Sequence, residues 1–270
     1  MKHIEGGQPV VKEERAVAET PEIKHAEIAK LREPIKNILE QMRERIDRGE
    51  YTLIIGDDAS GRIPTWIFYN FFKEIYKEKN FPVPRVRYFA GGYRDDKTAF
   101  SLKRLFSKKT NSKIEEIKSH LTKLRKISNN GVSPKQKALV VTDTIASGHN
   151  SQPILDALRQ QQISFDVAAV SNINYLTERF GSDGKLFSGQ YNPLSIYGRD
   201  DLSGITKNPK DLFSRRHRVL GGEHKPSQHN PEVLVGEKHS AVEEARVDGK
   251  ILSHELANWY KQVALPRKDV

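Results

Sequence analysis

Ala138-Leu-Val-Val-Thr-Asp-Thr-Ile-Ala-Ser-Gly-His-Asn-Ser151 is the stretch that decides how this chain folds. Ala138–Val141 are apolar or β-branched and read as a buried strand that ends at Asp143. A turn of small polar residues around Gly148 follows, and a helix is expected from near Pro153 to Gln160. A strand running into such a turn and then a helix makes a pocket for an anion. The turn presents backbone N–H groups, and the positive end of the helix dipole lies behind them. In open α/β sheets, ligands bind outside the carboxyl ends of the strands, which is where Asp143 is expected. An ordinary connection whose Asp and Ser only cap the helix would read the same way locally.

Working outward, a second segment repeats the pattern. Tyr51–Ile55 reads as a strand, Gly56–Gly61 as a loop, and Pro64–Lys77 as a helix burying Trp66, Phe68, Phe71, Phe72 and Ile75. In that loop, Asp57 and Asp58 can orient metal-bound water, Gly56 and Gly61 permit close backbone approach, and Arg62 can pair with phosphate oxygens. A capped turn with solvated acids explains this loop when it is taken alone. The loop lacks the Lys-Ser/Thr ending of a P-loop, and no Gly-x-Gly-x-x-Gly fingerprint is present. Both loops are expected at the carboxyl edge of one sheet, where they can face a single ligand.

The remaining elements extend the alternation. Val86–Phe89, Phe165–Val170 and Leu194–Tyr197 read as further strands, so strands alternating with helices give an α/β fold with a mostly parallel twisted sheet. Thr20-Pro21-Glu22 fits an N-cap with proline opening a helix, and Pro34 starts or kinks a second amphipathic segment. Three parts follow: an N-terminal tail with amphipathic helices over 1–50, an α/β core over 51–200, and a loop-rich basic extension over 201–270. The extension ends in a helix near Ser240–Lys261, with Val242, Ala245, Leu252, Leu256 and Trp259 toward a partner surface.

Charge and composition narrow the functions. The chain of 270 residues has 45 Lys+Arg against 35 Asp+Glu, net +10, which favours anionic partners. The absence of Cys excludes disulfides, thiolate metal sites and cysteine nucleophiles. The nine His are scattered, so no structural zinc site is expected. No apolar run approaches a membrane span and no signal-peptide core opens the chain, so a soluble cytoplasmic protein with no membrane partner is expected. A basic insertion at 93–131 carries its own capped helix from Ser112, with Ile114, Ile117, Leu121 and Leu124 on one face. Between Leu102 and Lys126 it holds nine Lys/Arg, able to follow a nucleic-acid backbone or to form a solvated face.

With these residues in view, Ala138–Asn150 resembles the ribose-phosphate loop of type I phosphoribosyltransferases. The loop after Tyr51–Ile55 is similar to that family's pyrophosphate loop, and the resemblance covers roughly residues 50–200. It implies that Asp143 holds the ribose hydroxyls of 5-phosphoribosyl 1-pyrophosphate. Thr142, Ala146, Ser147, Gly148, His149 and Asn150 would complete the ribose and phosphate cradle. Asp57, Asp58, Ala59, Ser60, Gly61 and Arg62 would meet the pyrophosphate. Mg²⁺ bound mainly through the substrate, a nucleobase or related nitrogen acceptor, and a homodimer are also implied.

The implied pyrophosphate contacts extend to Tyr93, Arg94 and Lys97, and Ser203–Arg216 is placed over the acceptor. Thr142 departs from the family, which has a carboxylate there; His149 and Asn150 replace a small residue and a Thr or Ser. Ala146 stands where some purine-specific members carry an acid. The alternative is a catalytically weak sensor of a phosphoribosyl ligand, or an RNA-binding regulator on the same fold, using the basic insertion.

Overall fold

Short apolar runs buried on both sides assemble into a parallel sheet, because helices then cover each face. In the computed structural model, residues 21–57, 61–89, 114–123, 137–145, 151–172, 184–190 and 235–264 are described. The strands are β1 (Tyr51–Asp57), β2 (Arg85–Phe89), β3 (Lys137–Ile145), β4 (Phe165–Asn172) and β5 (Leu186–Gln190). All neighbours are parallel, in the order β2-β1-β3-β4-β5. The helices are α1 (Ala26–Ala29), α2 (Arg32–Gln41), α3 (Arg43–Asp47), α4 (Arg62–Glu78), α5 (114–123), α6 (Gln152–Gln160) and α7 (Val235–Ala264).

Two cores flank the sheet. On one side, Ile54, Leu139, Val141, Ala168, Val170 and Phe187 meet apolar residues of α1–α4 and α7. On the other, Ile55, Val140, Val167 and Ala169 meet Ile117 and Leu121 of α5 and Ile154, Leu155 and Leu158 of α6. The described part of the basic insertion is thus the crossover helix between β2 and β3. Its stripe of Ile114, Ile117 and Leu121 is buried, and Lys123 stays exposed. Leu124 lies outside the described residues.

Several boundaries differ from expectation. β1 continues through Gly56 and Asp57, because both still pair with Tyr88 and Phe89 of β2. β3 continues past Asp143 to Ile145, because Thr144 and Ile145 pair with Ser171 and Asn172. A strand not expected from the sequence runs over Leu186–Gln190, and the strand expected at 194–197 lies outside the described residues. The former was hidden by Ser188 and Gly189, whose carbonyls accept side-chain amides of Gln41 and Asn37 on α2. The first helix starts at Ala26 and not at Pro21: the His25 amide and imidazole both bond Asp248 of α7 (2.8 and 2.7 Å), which draws residues 21–25 away from helical geometry.

Helix α7 closes the first core. Edge-to-face rings run from Tyr51 through Phe72 and Phe71 to Tyr260, with centroids 5.6, 5.6 and 5.3 Å apart. Each such pair adds about 0.5–1.5 kcal/mol beyond burial. Arg32 to Glu255 (2.7 Å) and Lys261 to Glu74 (2.9 Å) fix the helix at the rim. Ala245, Leu252 and Leu256 are buried within the chain itself, and Trp259 packs against the same core. Val242 has no described side chain.

A charged cluster occupies the amino edge of the sheet. Asp166, fully buried at the start of β4, accepts hydrogen bonds from Arg45, from Tyr51 Oη (2.8 Å) and from the Lys185 amide (2.9 Å), with Lys137 Nζ 3.8 Å away. Burial and the adjacent carboxylate push the Tyr51 phenol well above its usual range, so it stays a neutral donor. Burial works against the Arg45 charge, but the bond and charge of Asp166 outweigh it and hold that guanidinium above its ordinary value.

Candidate functional site

The strand order fixes where a ligand can enter. From β1 the chain crosses by α4 to β2 on one flank, then returns across β1 by α5 to β3 on the other. The sheet therefore reverses direction between β1 and β3, and the crevice at their carboxyl ends is the usual binding position in open parallel sheets. Gly56 stands beside Val141 in the ladder, so the next residues along are Asp57 and Thr142. β1 ends at Asp57, whereas the adjacent β3 runs three residues beyond Thr142, to Ile145.

Gly61, the first described residue after β1, also meets β3. A Cβ at this position would stand 2.6 Å from the Asp57 carbonyl oxygen and 2.9 Å from the Val141 carbonyl oxygen. Gly61 therefore rests directly on the backbone of β3, and only a residue without a side chain permits that approach. The Gly61 amide donates to the Asp57 carbonyl at 3.1 Å, and its carbonyl accepts the Thr65 amide at 2.9 Å as α4 begins.

The polar residues at this edge are mostly withdrawn from solvent. Asp57 is 6 % exposed, Thr142 1 % and Arg62 4 %, while Asp143 is half-buried. The Asp143 carboxylate accepts the Thr144 amide at 2.6 Å, with the Thr142 hydroxyl 3.5 Å away as donor. The Arg62 guanidinium lies over the Tyr88 ring, 5.2 Å from its centroid. Neither helix behind the loops is closed by the side chain of its own N-cap residue. Gly61 has none, and Ser151 at the start of α6 makes no side-chain cap bond.

Of the residues expected to form the site, Asp57, Gly61, Arg62, Thr142 and Asp143 are brought to this one edge. Asp58, Ala59, Ser60 and Ala146–Asn150 lie outside the described residues. So do Tyr93, Arg94 and Lys97, and Ser203–Arg216. Sequence reasoning missed Tyr88, which supports Arg62, and Ser171 and Asn172, both buried where β4 ends beside β3. A polar pair closing the apolar run Val167–Val170 was the available signal for the last two. Tyr88 gave none, because its partner is reached only through the sheet register.

Among the described residues, no three His, Asp or Glu side chains gather to hold a metal by themselves. Asp57 and Asp143 suit a hard cation that keeps its waters and takes few protein ligands, as Mg²⁺ does. None of the described helices is long and apolar enough to cross a membrane. Searches of family models, curated proteins and solved structures find no match to this chain.

Proposed function

We propose that the carboxyl edge of β1 and β3 binds 5-phosphoribosyl 1-pyrophosphate and transfers its phosphoribosyl group to a nucleobase or related nitrogen nucleophile, as a type I phosphoribosyltransferase does. The observation that carries this reading is the contact of Gly61 with both strands at the sheet's reversal point. It supports the reading because Gly61, which precedes α4, lies against the β3 backbone at Val141, directly before Thr142 and Asp143.

In this reading Asp143 orients the ribose hydroxyls, and its bond to the Thr144 amide holds one carboxylate oxygen in place. The turn after β3, backed by the amino end of α6, takes the 5′-phosphate on backbone N–H groups. The turn after β1 and Arg62 meet the pyrophosphate. The anomeric C–O bond breaks with its electron pair leaving on pyrophosphate, a C–N bond forms to the acceptor, and the acceptor's proton passes to solvent. Mg²⁺ carried on the substrate's oxygens supplies charge neutralisation to the leaving group.

Thr142 favours a second reading. Its buried hydroxyl brings no negative charge beside a cationic sugar. A protein of this form would bind the ligand and turn it over slowly, as a sensor.

Titration with phosphoribosyl pyrophosphate, with and without Mg²⁺, followed by a screen of bases for pyrophosphate release, separates the two. Binding with release supports the transferase, and binding alone supports the sensor. Asp143→Asn is expected to weaken binding about tenfold or more while the melting temperature stays within a few degrees, since it removes a charge-assisted bond worth about 1.5–3 kcal/mol. Unchanged affinity in that variant would refute the ribose assignment.

A further inference from the structure

The notch left by Gly56 is filled by an aromatic ring. Gly56 and Tyr88 are opposite each other in the β1–β2 ladder, and a Cβ at Gly56 would lie 2.6 Å from Tyr88 Cδ1 and 2.6 Å from Thr65 Oγ1. The missing side chain lets the ring lie over the β1 backbone, beneath the start of α4. Arg62, the first residue of that helix, spreads its guanidinium over this ring at 5.2 Å. Thus a glycine on β1, an aromatic on β2 and a cation on α4 form one stack beside the turn after β1.

We propose that Tyr88 is a positioning residue for anion binding: it holds Arg62 in the orientation in which its guanidinium meets the pyrophosphate group of the ligand. This rests on the ligand reading given above, and it adds a residue that touches no substrate. An arginine carries rotamer entropy of about 2 kcal/mol, and much of it would be lost on meeting a diphosphate. A ring face that already fixes the guanidinium removes that loss before the ligand arrives. The ring's π face also favours the charged head electrostatically. The phenolic hydroxyl has no part in this, so the ring alone carries the role.

The test uses the full-length protein, with inorganic pyrophosphate plus Mg²⁺ as one probe and ribose 5-phosphate as the other, both by calorimetry. Tyr88→Leu is expected to weaken pyrophosphate between about threefold and thirtyfold, the range of a cation–ring contact. Ribose 5-phosphate, which addresses the β3 turn, should change less than about twofold. Tyr88→Phe should restore the parent's pyrophosphate affinity. In an Arg62→Gln background, which has no cation for the ring to hold, Tyr88→Leu should cost nothing further. Tyr88→Met replaces the leucine variant if the latter does not fold.

Equal loss of both probes would mean that Tyr88 is only structural, and unchanged pyrophosphate affinity would mean that it does not position Arg62. Either result overturns the proposal while leaving the ligand reading in place. A parent protein that binds ribose 5-phosphate but not pyrophosphate also overturns it, and one that binds neither removes the ligand reading as well.

Discussion

Gly61→Ala tests the contact on which the site depends. Its backbone angles (φ −77°, ψ −4°) are comfortable for alanine, so any effect comes from the added methyl and not from torsional strain. That methyl would lie 2.6 Å from the Asp57 carbonyl oxygen, 2.9 Å from that of Val141 and 3.1 Å from the Asp57 amide nitrogen. All three are backbone atoms of the sheet and cannot rotate away. Restoring ordinary contact requires the turn to rise by about 0.4–0.8 Å. Overpacking of this kind costs about 1–3 kcal/mol. The smaller entropy of alanine in the unfolded chain returns about 0.4–1 kcal/mol. The net loss is about 1.3 kcal/mol at the middle of these ranges, a fall in melting temperature of roughly 3–5 °C for a domain of this size. Thermal and urea melts followed by circular dichroism measure it. Under the proposed ligand reading, a displacement approaching 1 Å should also lower affinity for phosphoribosyl pyrophosphate. A variant as stable as the parent, or more so, would refute the argument, for it would mean that Gly61 does not lie against β3.

Three further outcomes follow from packing and charge. Asp166→Ala should destabilise the protein by about 3–5 kcal/mol in a urea melt, because Arg45 and Tyr51 would be left without their buried partner; a loss under about 1 kcal/mol would make the cluster a surface feature. Gln162, just beyond α6, holds a left-handed backbone (φ 53°), with the Ile163 amide bonded to the Leu158 carbonyl at 3.0 Å. Gln162→Gly should therefore raise stability by about 0.5–1 kcal/mol, and a loss would contradict that geometry. Finally, burial raises the phenols of Tyr51, Tyr76 and Tyr260 above their ordinary value. The stability linked to them is complete below about pH 10, the unfolded value, and should drain above it by up to about 1.4 kcal/mol per pH unit for each ring. Tyrosinate absorbance during alkaline titration should show a late class of rings that ionise only as the fold is lost; simultaneous ionisation of all rings would refute this.

What could be read from the residues alone follows from how local each signal is. Ala138–Val141 and Val167–Val170 are continuous apolar runs, so β3 and β4 were legible, as was α4 from its aromatic spacing. Strand ends were not, because Gly56, Asp57, Asp143 and Thr144 have turn-forming chemistry but are held in extended form by neighbouring strands. β5 was concealed for the same kind of reason: Ser188 and Gly189 weaken a strand alone, yet α2 supplies partners for their carbonyls. At the site, Asp57, Thr142 and Asp143 announced themselves as polar residues closing apolar strands. Their adjacency came only from strand order. The Asp166 cluster, drawn from α3, β1, β3 and β4, has no local signature.

The docking of α7 has a consequence for biogenesis. The aromatic ridge of α4, with Phe71 and Phe72 at its crest, is covered by a helix that the ribosome makes long after α4 has emerged. At ordinary translation speeds that interval is roughly 10–30 s. Throughout it the nascent chain carries an uncovered greasy ridge, which is the surface a chaperone would grip, and a message truncated before Val235 would yield a polypeptide fated for aggregation or proteolysis.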